Sequence, residues 1–181
     1  PDVCSSDLGG QSLLAAVPRG IALEARRRAD HIVRVADVFD GQVVEVDPTQ
    51  DAPAHYRGLR RYVHVVARRL WLNFPGCELG INIAIASDLP RASGLSSSSA
   101  LTVGVALALI DRAQLRERDE WTRHVRRLQD LAWYLGCVEN GLDFPGLPGA
   151  AGVGTNGGSE DHTAILACKT DHVSLYRFVP V

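Results

Sequence analysis

The segment from residue 89 to residue 100 holds the residue types best suited to binding an anion. It reads Leu-Pro-Arg-Ala-Ser-Gly-Leu-Ser-Ser-Ser-Ser-Ala and lies between a predicted strand and a predicted apolar helix. Small residues let backbone N–H groups approach a ligand, and a helix start adds unpaired donors and partial positive charge. A flexible Gly/Ser linker has a similar composition, but it would not join a buried strand to a buried helix. We therefore predict a phosphate-binding loop that needs no lysine.

A second candidate is the carboxylate of Glu139. It follows Leu135 by one helical turn, on the apolar face of a predicted helix that also carries Val125, Leu128, Leu131 and Ala132. A buried carboxylate near the negative end of a helix dipole is unfavourable unless a cation meets it. An arginine is one such cation. Mg²⁺ is the other, because it binds one or two protein oxygens together with substrate phosphates. Ser97 or Ser98 could supply the second oxygen.

A third candidate is the glycine-rich stretch 154–162, which reads Gly-Thr-Asn-Gly-Gly-Ser-Glu-Asp-His. Ser159, Glu160 and Asp161 suit the first turn of a helix, so capping is one interpretation. Paired glycines before an acidic residue also suggest a backbone that approaches a ligand, with the carboxylate aimed at it. The residues alone leave both interpretations open.

Hydrophobic periodicity predicts the elements that position these candidates. Strands are predicted over residues 11–17, 20–25, 31–36, 42–46, 78–86 and 172–178. Helices are predicted over residues 56–70, 97–115, 119–140 and 159–167, the third capped by Asp119. The first four strands should be linked by hairpins, because the gaps between them are too short for crossover helices. The Gly/Pro-rich loop 141–158 is long enough to be functional. Strands first and mixed elements later indicate an α+β fold.

Composition excludes several classes of function. The chain has 181 residues, 46% hydrophobic and 22% charged, which suits one globular domain. A net charge of −2 argues against a nucleic-acid binder. The longest apolar run, residues 101–110, is about half of what a membrane helix needs. The only lysine, Lys169, does not fit a Walker P-loop. The four cysteines show no metal-binding spacing, so reduced thiols and a cytoplasmic location are expected.

The first eight residues have an unusual sequence. Residues 2–7, Asp-Val-Cys-Ser-Ser-Asp, match one reading frame of a common sequencing adapter, and the chain contains no methionine. We expect residues 1–8 to be a non-native leader and residues 9–181 to be one domain that is incomplete at both ends. A polar, disordered N-terminus is the alternative.

The candidate motifs resemble those of the GHMP small-molecule kinases, and within that family the galactokinase-like branch. Residues 89–99 fit the phosphate-binding signature P-x-x-x-G-L-S-S-S, and residues 138–140 resemble the segment with the magnesium-binding Glu. Residues 157–161 are similar to the third motif, whose galactokinase form is C-G-x-M-D-Q. Here Gly157, Glu160 and His162 stand in place of Cys, Met and Gln. The separation of Glu139 from Asp161 is longer than usual in galactokinases. The first motif, with its sugar-binding Glu-His-Asp and catalytic Arg, has no counterpart.

The resemblance implies a fold, a reaction and a set of site residues. The fold would be the α+β N-terminal domain shared with ribosomal protein S5 domain 2, without the ferredoxin-like C-terminal domain. The reaction would be phosphoryl transfer from MgATP to the anomeric hydroxyl of galactose or a related sugar. The ATP phosphates would be bound by Pro90, Gly94, Leu95, Ser96, Ser97, Ser98 and Ser99. Mg²⁺ would lie between Glu139 and Ser97 or Ser98. Asp161 would be the general base, and Gly158 and Asp161 would contact the sugar.

Two other functions are also compatible with these motifs. One is another GHMP kinase, acting on mevalonate or homoserine. The other is a non-catalytic galactokinase-like sensor of sugar and ATP, which the presence of Glu139 and Asp161 argues against. A small-molecule sugar is the expected partner, with no nucleic acid and no membrane. Without the first motif, we expect the 181-residue chain itself to be inactive.

Overall fold

A computed structural model describes residues 10–90, 94–155 and 157–178 of the chain. The strands of this part are β1 Gln11–Ala15, β2 Ile21–Arg27, β3 Val33–Asp37, β4 Val43–Val46, β5 Ile81–Ser87 and β6 Val173–Arg177. Its α-helices are α1 Gly58–Asn73, α2 Ser97–Arg112, α3 Asp119–His124, α4 Leu128–Asn140 and α5 Glu160–Ala167, and a short 3₁₀ helix spans Leu115–Glu117. Residues 1–8 lie outside the described residues, so their assignment as a leader stays a prediction.

Four strands form one sheet in the order β2-β5-β3-β4. β5 is antiparallel to β2 and parallel to β3, and β3 is antiparallel to β4. β5 takes an inner position because its alternating Ile81, Ile83 and Ile85 are at most 5% exposed. The parallel pair β3 and β5 is joined through α1, the kind of crossover that parallel strands require.

The remaining two strands pair with each other. β1 and β6 form a separate antiparallel ladder in which Gln11 lies opposite Arg177 and Ala15 opposite Val173. The expectation that the first four strands are linked by hairpins is therefore wrong for β1–β2 and β2–β3, and it holds only for β3–β4. The pairing partners of β1 and β2 are instead β6 and β5, strands that come much later in the chain.

The hydrophobic core lies between one face of the sheet and the helices. Its buried members include valines of β3 and β4, Val66 and Leu70 of α1, and Val105 and Leu109 of α2. β2 is the exception, because all of its residues after Ile21 are exposed. Helices packed against a sheet of mixed parallel and antiparallel strands confirm the predicted α+β class.

The helix predicted over residues 119–140 is two helices, α3 and α4. The break arises because Asp130 Oδ2 accepts hydrogen bonds from the backbone N–H groups of Arg126 and Arg127, both at 3.0 Å, and so begins a new helix. Asp119 is the first residue of α3, whereas the cap position belongs to Arg118. Leu128, predicted to face the core, is 49% exposed.

Within the described part of the chain, no helix has both the length and the apolar character needed to cross a membrane.

Candidate functional site

The backbone at the start of α2 has the shape expected of an anion-binding loop. Gly94 has a φ of +74° and Ser96, the residue before the helix, has a φ of +51°. A left-handed conformation at a serine costs on the order of 1 kcal/mol, so surrounding structure must hold it. The Ser96 hydroxyl makes no capping hydrogen bond, and the first helical bond of α2 joins Ala100 N–H to the Ser96 carbonyl at 2.9 Å. The amides of Ser97, Ser98 and Ser99 precede that bond and are available to a ligand.

The loop opens onto a cleft of about 400 Å³. Gly94, Leu95 and Ser96 line it from the loop, and Asp161 lines it from the first turn of α5. The structure thus brings two of the three candidate motifs to one cavity. Of the phosphate-binding residues predicted beyond those three, Pro90, Ser97, Ser98 and Ser99 do not line this cleft among the described residues. Residues 91–93 of the motif lie outside the described residues.

The interior of the cleft is largely apolar and its rim carries a cation. Val103 and Leu107 of α2 and Ile165 of α5 line the interior. Arg19, from the turn between β1 and β2, lines the cleft and pairs with Asp88 at 3.3 Å. Arg19 cannot be recognised from the sequence, because one arginine in a Pro-Arg-Gly turn carries no functional signal.

The Glu139 carboxylate is buried, with 9% of the residue exposed. The Thr102 hydroxyl donates a hydrogen bond to Glu139 Oε1 at 2.6 Å, and His162 Nε2 lies 3.5 Å from the same oxygen. No arginine among the described residues pairs with Glu139, so the arginine interpretation of this carboxylate is not supported. Neither neighbour is predictable from the sequence around Glu139, because Thr102 lies on α2 and His162 on α5.

The surroundings of Glu139 fit a magnesium ion that is shared with a nucleotide. Thr102 lies one helical turn after Ser98 on α2, so Glu139 contacts the helix face on which Ser98 also lies. The described residues contain no group of three or more His, Cys, Asp or Glu that could hold a metal by itself. Mg²⁺ does not need such a group, since one carboxylate, one hydroxyl and phosphate oxygens suit it.

The third motif is attached to the end of α4 through Asn140. Asn140 Oδ1 accepts a hydrogen bond from Gly157 N–H at 3.0 Å, and its Nδ2 donates to the carbonyls of Gly157 and Gly136. Ser159 packs closely against α4 at Gly136. A Cβ at this position would lie 3.1 Å from the Ser159 Cβ, so glycine is what permits the close contact. The Ser159 side chain makes no capping hydrogen bond to α5, so the simple capping interpretation is not supported for it. Gly158 follows this attachment and does not line the described cleft.

The long loop 141–158 is anchored to α1 rather than free. Arg69, 1% exposed, donates from Nη2 to the Leu142 carbonyl at 2.8 Å. Asn73 Nδ2 donates to the Pro148 carbonyl at 3.0 Å, and Arg61 donates to the Gly152 carbonyl. These anchors place the loop so that it returns to the end of α4 and leads into α5.

Comparison with known protein families finds a match over part of the chain. Residues 60–136 match the family model described as the GHMP kinases N terminal domain. This part of the chain is similar to the N-terminal domain of the GHMP kinases. This finding confirms the resemblance that the motifs indicated, and with it the predicted α+β fold of that domain.

Curated and solved relatives agree with the family. The chain is 37% identical over 93 residues to a galactokinase of Roseiflexus sp. (strain RS-1), which is 50% of this chain and 23% of the relative. It is 31% identical over 90 residues to a galactokinase of Haemophilus influenzae (strain PittGG), again 50% of this chain and 23% of the relative. The chain therefore matches only a part of each curated relative, well under two thirds of its length.

Two solved structures share the fold. The galactokinase of Lactococcus lactis, solved in complex with galactose, superposes with a TM-score of 0.70 and 21% identity over 96% of this chain and 42% of that chain. The mevalonate kinase of Methanococcus jannaschii superposes with a TM-score of 0.61 and 14% identity over 94% of this chain and 47% of that chain. At these identities the similarity establishes the fold alone.

Proposed function

We propose that this chain is the nucleotide-binding part of a galactokinase-like kinase. The reaction is transfer of the γ-phosphoryl group of MgATP to the anomeric hydroxyl of galactose or a related sugar, with ADP as the second product. The observation that carries the proposal is the shared cleft, which is lined by the loop residues Gly94, Leu95 and Ser96 and by Asp161. The identity to curated galactokinases supports a sugar as the phosphoryl acceptor.

The phosphate loop binds the nucleotide through backbone groups. Pro90 and residues 94–99 place the free N–H groups of the first turn of α2 toward the phosphates. The positive end of the α2 dipole adds to the attraction. Affinity for the triphosphate depends on the backbone geometry at Gly94 and Ser96.

Glu139, with Ser97 or Ser98, is the proposed binding site for Mg²⁺. When bound, the ion neutralises negative charge on the phosphates as phosphoryl transfer proceeds. Glu139 holds its carboxylate at the side of α2 through Thr102. The helix supplies the serine hydroxyls one turn earlier, so the protein part of the site spans α2 and α4.

Asp161 is the proposed catalytic base. Its side chain is exposed to the cleft from the first turn of α5, where the helix dipole favours a carboxylate. Asp161 orients the acceptor hydroxyl and takes its proton as the oxygen forms a bond to the γ-phosphorus. The bond from that phosphorus to the bridging oxygen breaks, and ADP leaves. The Gly158 backbone is the proposed second contact of the sugar.

Substitution of Ser98 tests the nucleotide site. Ser98→Asp brings a carboxylate to within a few ångströms of the triphosphate, and like charges at about 4 Å repel by several kcal/mol at intermediate dielectric. We expect calorimetric titration with MgATP to show binding to the unaltered chain and none to the variant. The matched control is Thr122→Asp, which adds the same charge at an exposed position of α3. Equal affinity of a folded Ser98→Asp variant and the control would contradict the phosphate-loop assignment.

A further inference from the structure

Thr102 is a polar side chain inside α2, the most apolar of the described α-helices. The surrounding run, residues 101–110, reads Leu-Thr-Val-Gly-Val-Ala-Leu-Ala-Leu-Ile. Thr102 is completely buried. A valine would have nearly the same shape there and would avoid burying a hydroxyl. A hydrogen bond to a buried partner must therefore offset the free-energy cost of removing this hydroxyl from water.

The partner is the carboxylate assigned to the metal. The Thr102 hydroxyl donates to Glu139 Oε1 at 2.6 Å, a length typical of a charge-assisted O–H···O bond. His162 Nε2 stands 3.5 Å from the same oxygen. Both contacts are made to Oε1. Neither of them occupies Oε2.

We propose that Thr102 is a positioning residue for Glu139. By holding Oε1, it fixes the rotamer of the carboxylate and would leave Oε2 free to bind the metal ion. The proposal rests on the proposed function, because it assumes that Glu139 binds the ion. It adds a direct connection between the helix that begins at the phosphate loop and the helix that ends at the metal carboxylate.

Metal affinity is the readout, since it needs no turnover. Mn²⁺ is the probe, because it accepts the same oxygen ligands as Mg²⁺ and its free concentration is measured by electron paramagnetic resonance. In the presence of ADP, we expect Thr102→Val to weaken Mn²⁺ binding by about ten-fold or more, the usual effect of removing a group that orients a metal ligand. Thr102→Ser keeps the hydroxyl and is expected to bind Mn²⁺ within about two-fold of the unaltered chain.

The control separates loss of any buried hydroxyl from loss of this one. Thr163 is also buried, and its hydroxyl donates to the Ser159 carbonyl at 2.8 Å rather than to a carboxylate. Thr163→Val should leave Mn²⁺ affinity unchanged. If Thr102→Val does not fold, as judged by circular dichroism, Thr102→Ala serves with the same expectation. If neither variant folds, Thr102 is a structural requirement of the core and the proposal is wrong.

Glu139→Gln distinguishes failure of this inference from failure of the proposed function. If Glu139→Gln leaves Mn²⁺ affinity unchanged, Glu139 is not a metal ligand and the proposed function loses its metal site. If Glu139→Gln weakens binding and Thr102→Val does not, only the role of Thr102 is wrong. Because Thr102 is inferred to act through Glu139, Thr102→Val should have little further effect in the Glu139→Gln background. Additive effects of the two substitutions would overturn the inference.

Discussion

Burial controls the chemistry of the three described cysteines. Cys77 and Cys137 are buried in the core, and desolvation raises the pKa of each thiol to about 11. Cys168 follows α5 and is partly exposed. Its burial also raises the pKa of its thiol, against the opposing effect of the Tyr176 hydroxyl. Since the thiolate is the reactive species, none of the three is suited to nucleophilic catalysis at neutral pH.

Alkylation rates should therefore follow exposure. With iodoacetamide at about pH 8, we expect Cys168 to react first, while Cys77 and Cys137 stay protected until the chain unfolds. Peptide mass spectrometry assigns each rate to its residue, and the same reaction in urea is the control. Equal rates for the three thiols under native conditions would show that Cys77 and Cys137 are not buried in the core as described.

Residues also differ in how far their roles are predictable. The need of Glu139 for a partner follows from its position on the apolar face of a helix. The identity of that partner cannot be predicted. Thr102 precedes Glu139 by 37 residues and lies inside an apolar run that indicates only a core helix. The role of Asn140 is equally unpredictable, since an asparagine at a helix end suggests only a local cap. Its true role is to hold Gly157 from across the long loop.

At the scale of elements, the connection between α4 and α5 depends on the Asn140 amide. Nδ2 donates to two carbonyls and Oδ1 accepts from one N–H, so both ends of the amide are in use. These bonds hold the backbone that begins α5, and Asp161 lies in the first turn of that helix. The orientation of the proposed catalytic base therefore depends on this amide.

Asn140→Asp should loosen the start of α5. An aspartate keeps the shape but cannot donate to the two carbonyls, and it puts a charge beside Glu139. Unpaired buried groups cost about 1–3 kcal/mol, so we expect a Tm lower by on the order of 5 °C. Amide hydrogen exchange over residues 157–163 should also become faster.

The matched control for this substitution is Asn82→Asp. Asn82 Oδ1 accepts from Arg28 at 3.0 Å, so a carboxylate is favourable there. If hydrogen exchange at 157–163 is the same in both variants, Asn140 does not hold the start of α5.

The types of the elements are more predictable than their partners. The alternation of Ile81, Ile83 and Ile85 identifies β5, and helical spacing identifies α1 within a few residues at each end. Pairing is not visible in these patterns, because the insertion of β5 between β2 and β3 is a contact between distant segments. The break between α3 and α4 is hidden for a different reason. Apolar residues continue at helical spacing through it, and Asp130 interrupts the helix by binding two backbone amides.

The same limit applies to the site. Local composition predicts an anion-binding loop, because a Gly/Ser run between a strand and a helix has few other uses, and this role stays a prediction. That Asp161 shares a cleft with this loop depends on how α5 packs against α2, which only the structure shows. The residues alone also do not show that Gly158 and the serines after Ser96 lie outside that cleft.

For the whole molecule, acid stability is linked to a buried histidine. His64 of α1 is 3% exposed, and its Nε2 lies 3.0 Å from the Gln50 carbonyl. Desolvation, with the charges of Arg61 and Arg68, lowers the pKa of His64 below 6.5 despite the Gln50 carbonyl. The unfolded chain therefore binds a proton more readily than the folded one. The free energy of unfolding should be constant with respect to this group above about pH 6.5 and fall as the pH drops below that value.

Urea unfolding of His64→Gln tests this link. The glutamine amide can donate to the same carbonyl without binding a proton. We expect the variant to lose less stability than the unaltered chain between about pH 7 and pH 5. His172→Gln, a change at an exposed histidine, is the control and should keep the original pH dependence. An unchanged pH dependence in His64→Gln would mean that other groups cause the acid sensitivity.

The ladder of β1 and β6 has a consequence for synthesis on the ribosome. β1 is the first described strand to leave the exit tunnel, and its partner is the last. The sheet of β2 to β5 and helices α1 to α4 can fold while β1 still lacks a partner, since non-local pairings form late. Ala15 at the end of β1 lines the candidate cleft together with Ala16 and Val17. A nascent chain can therefore complete its core well before this wall of the cleft is in place, and ligand binding should be gained only as β6 emerges.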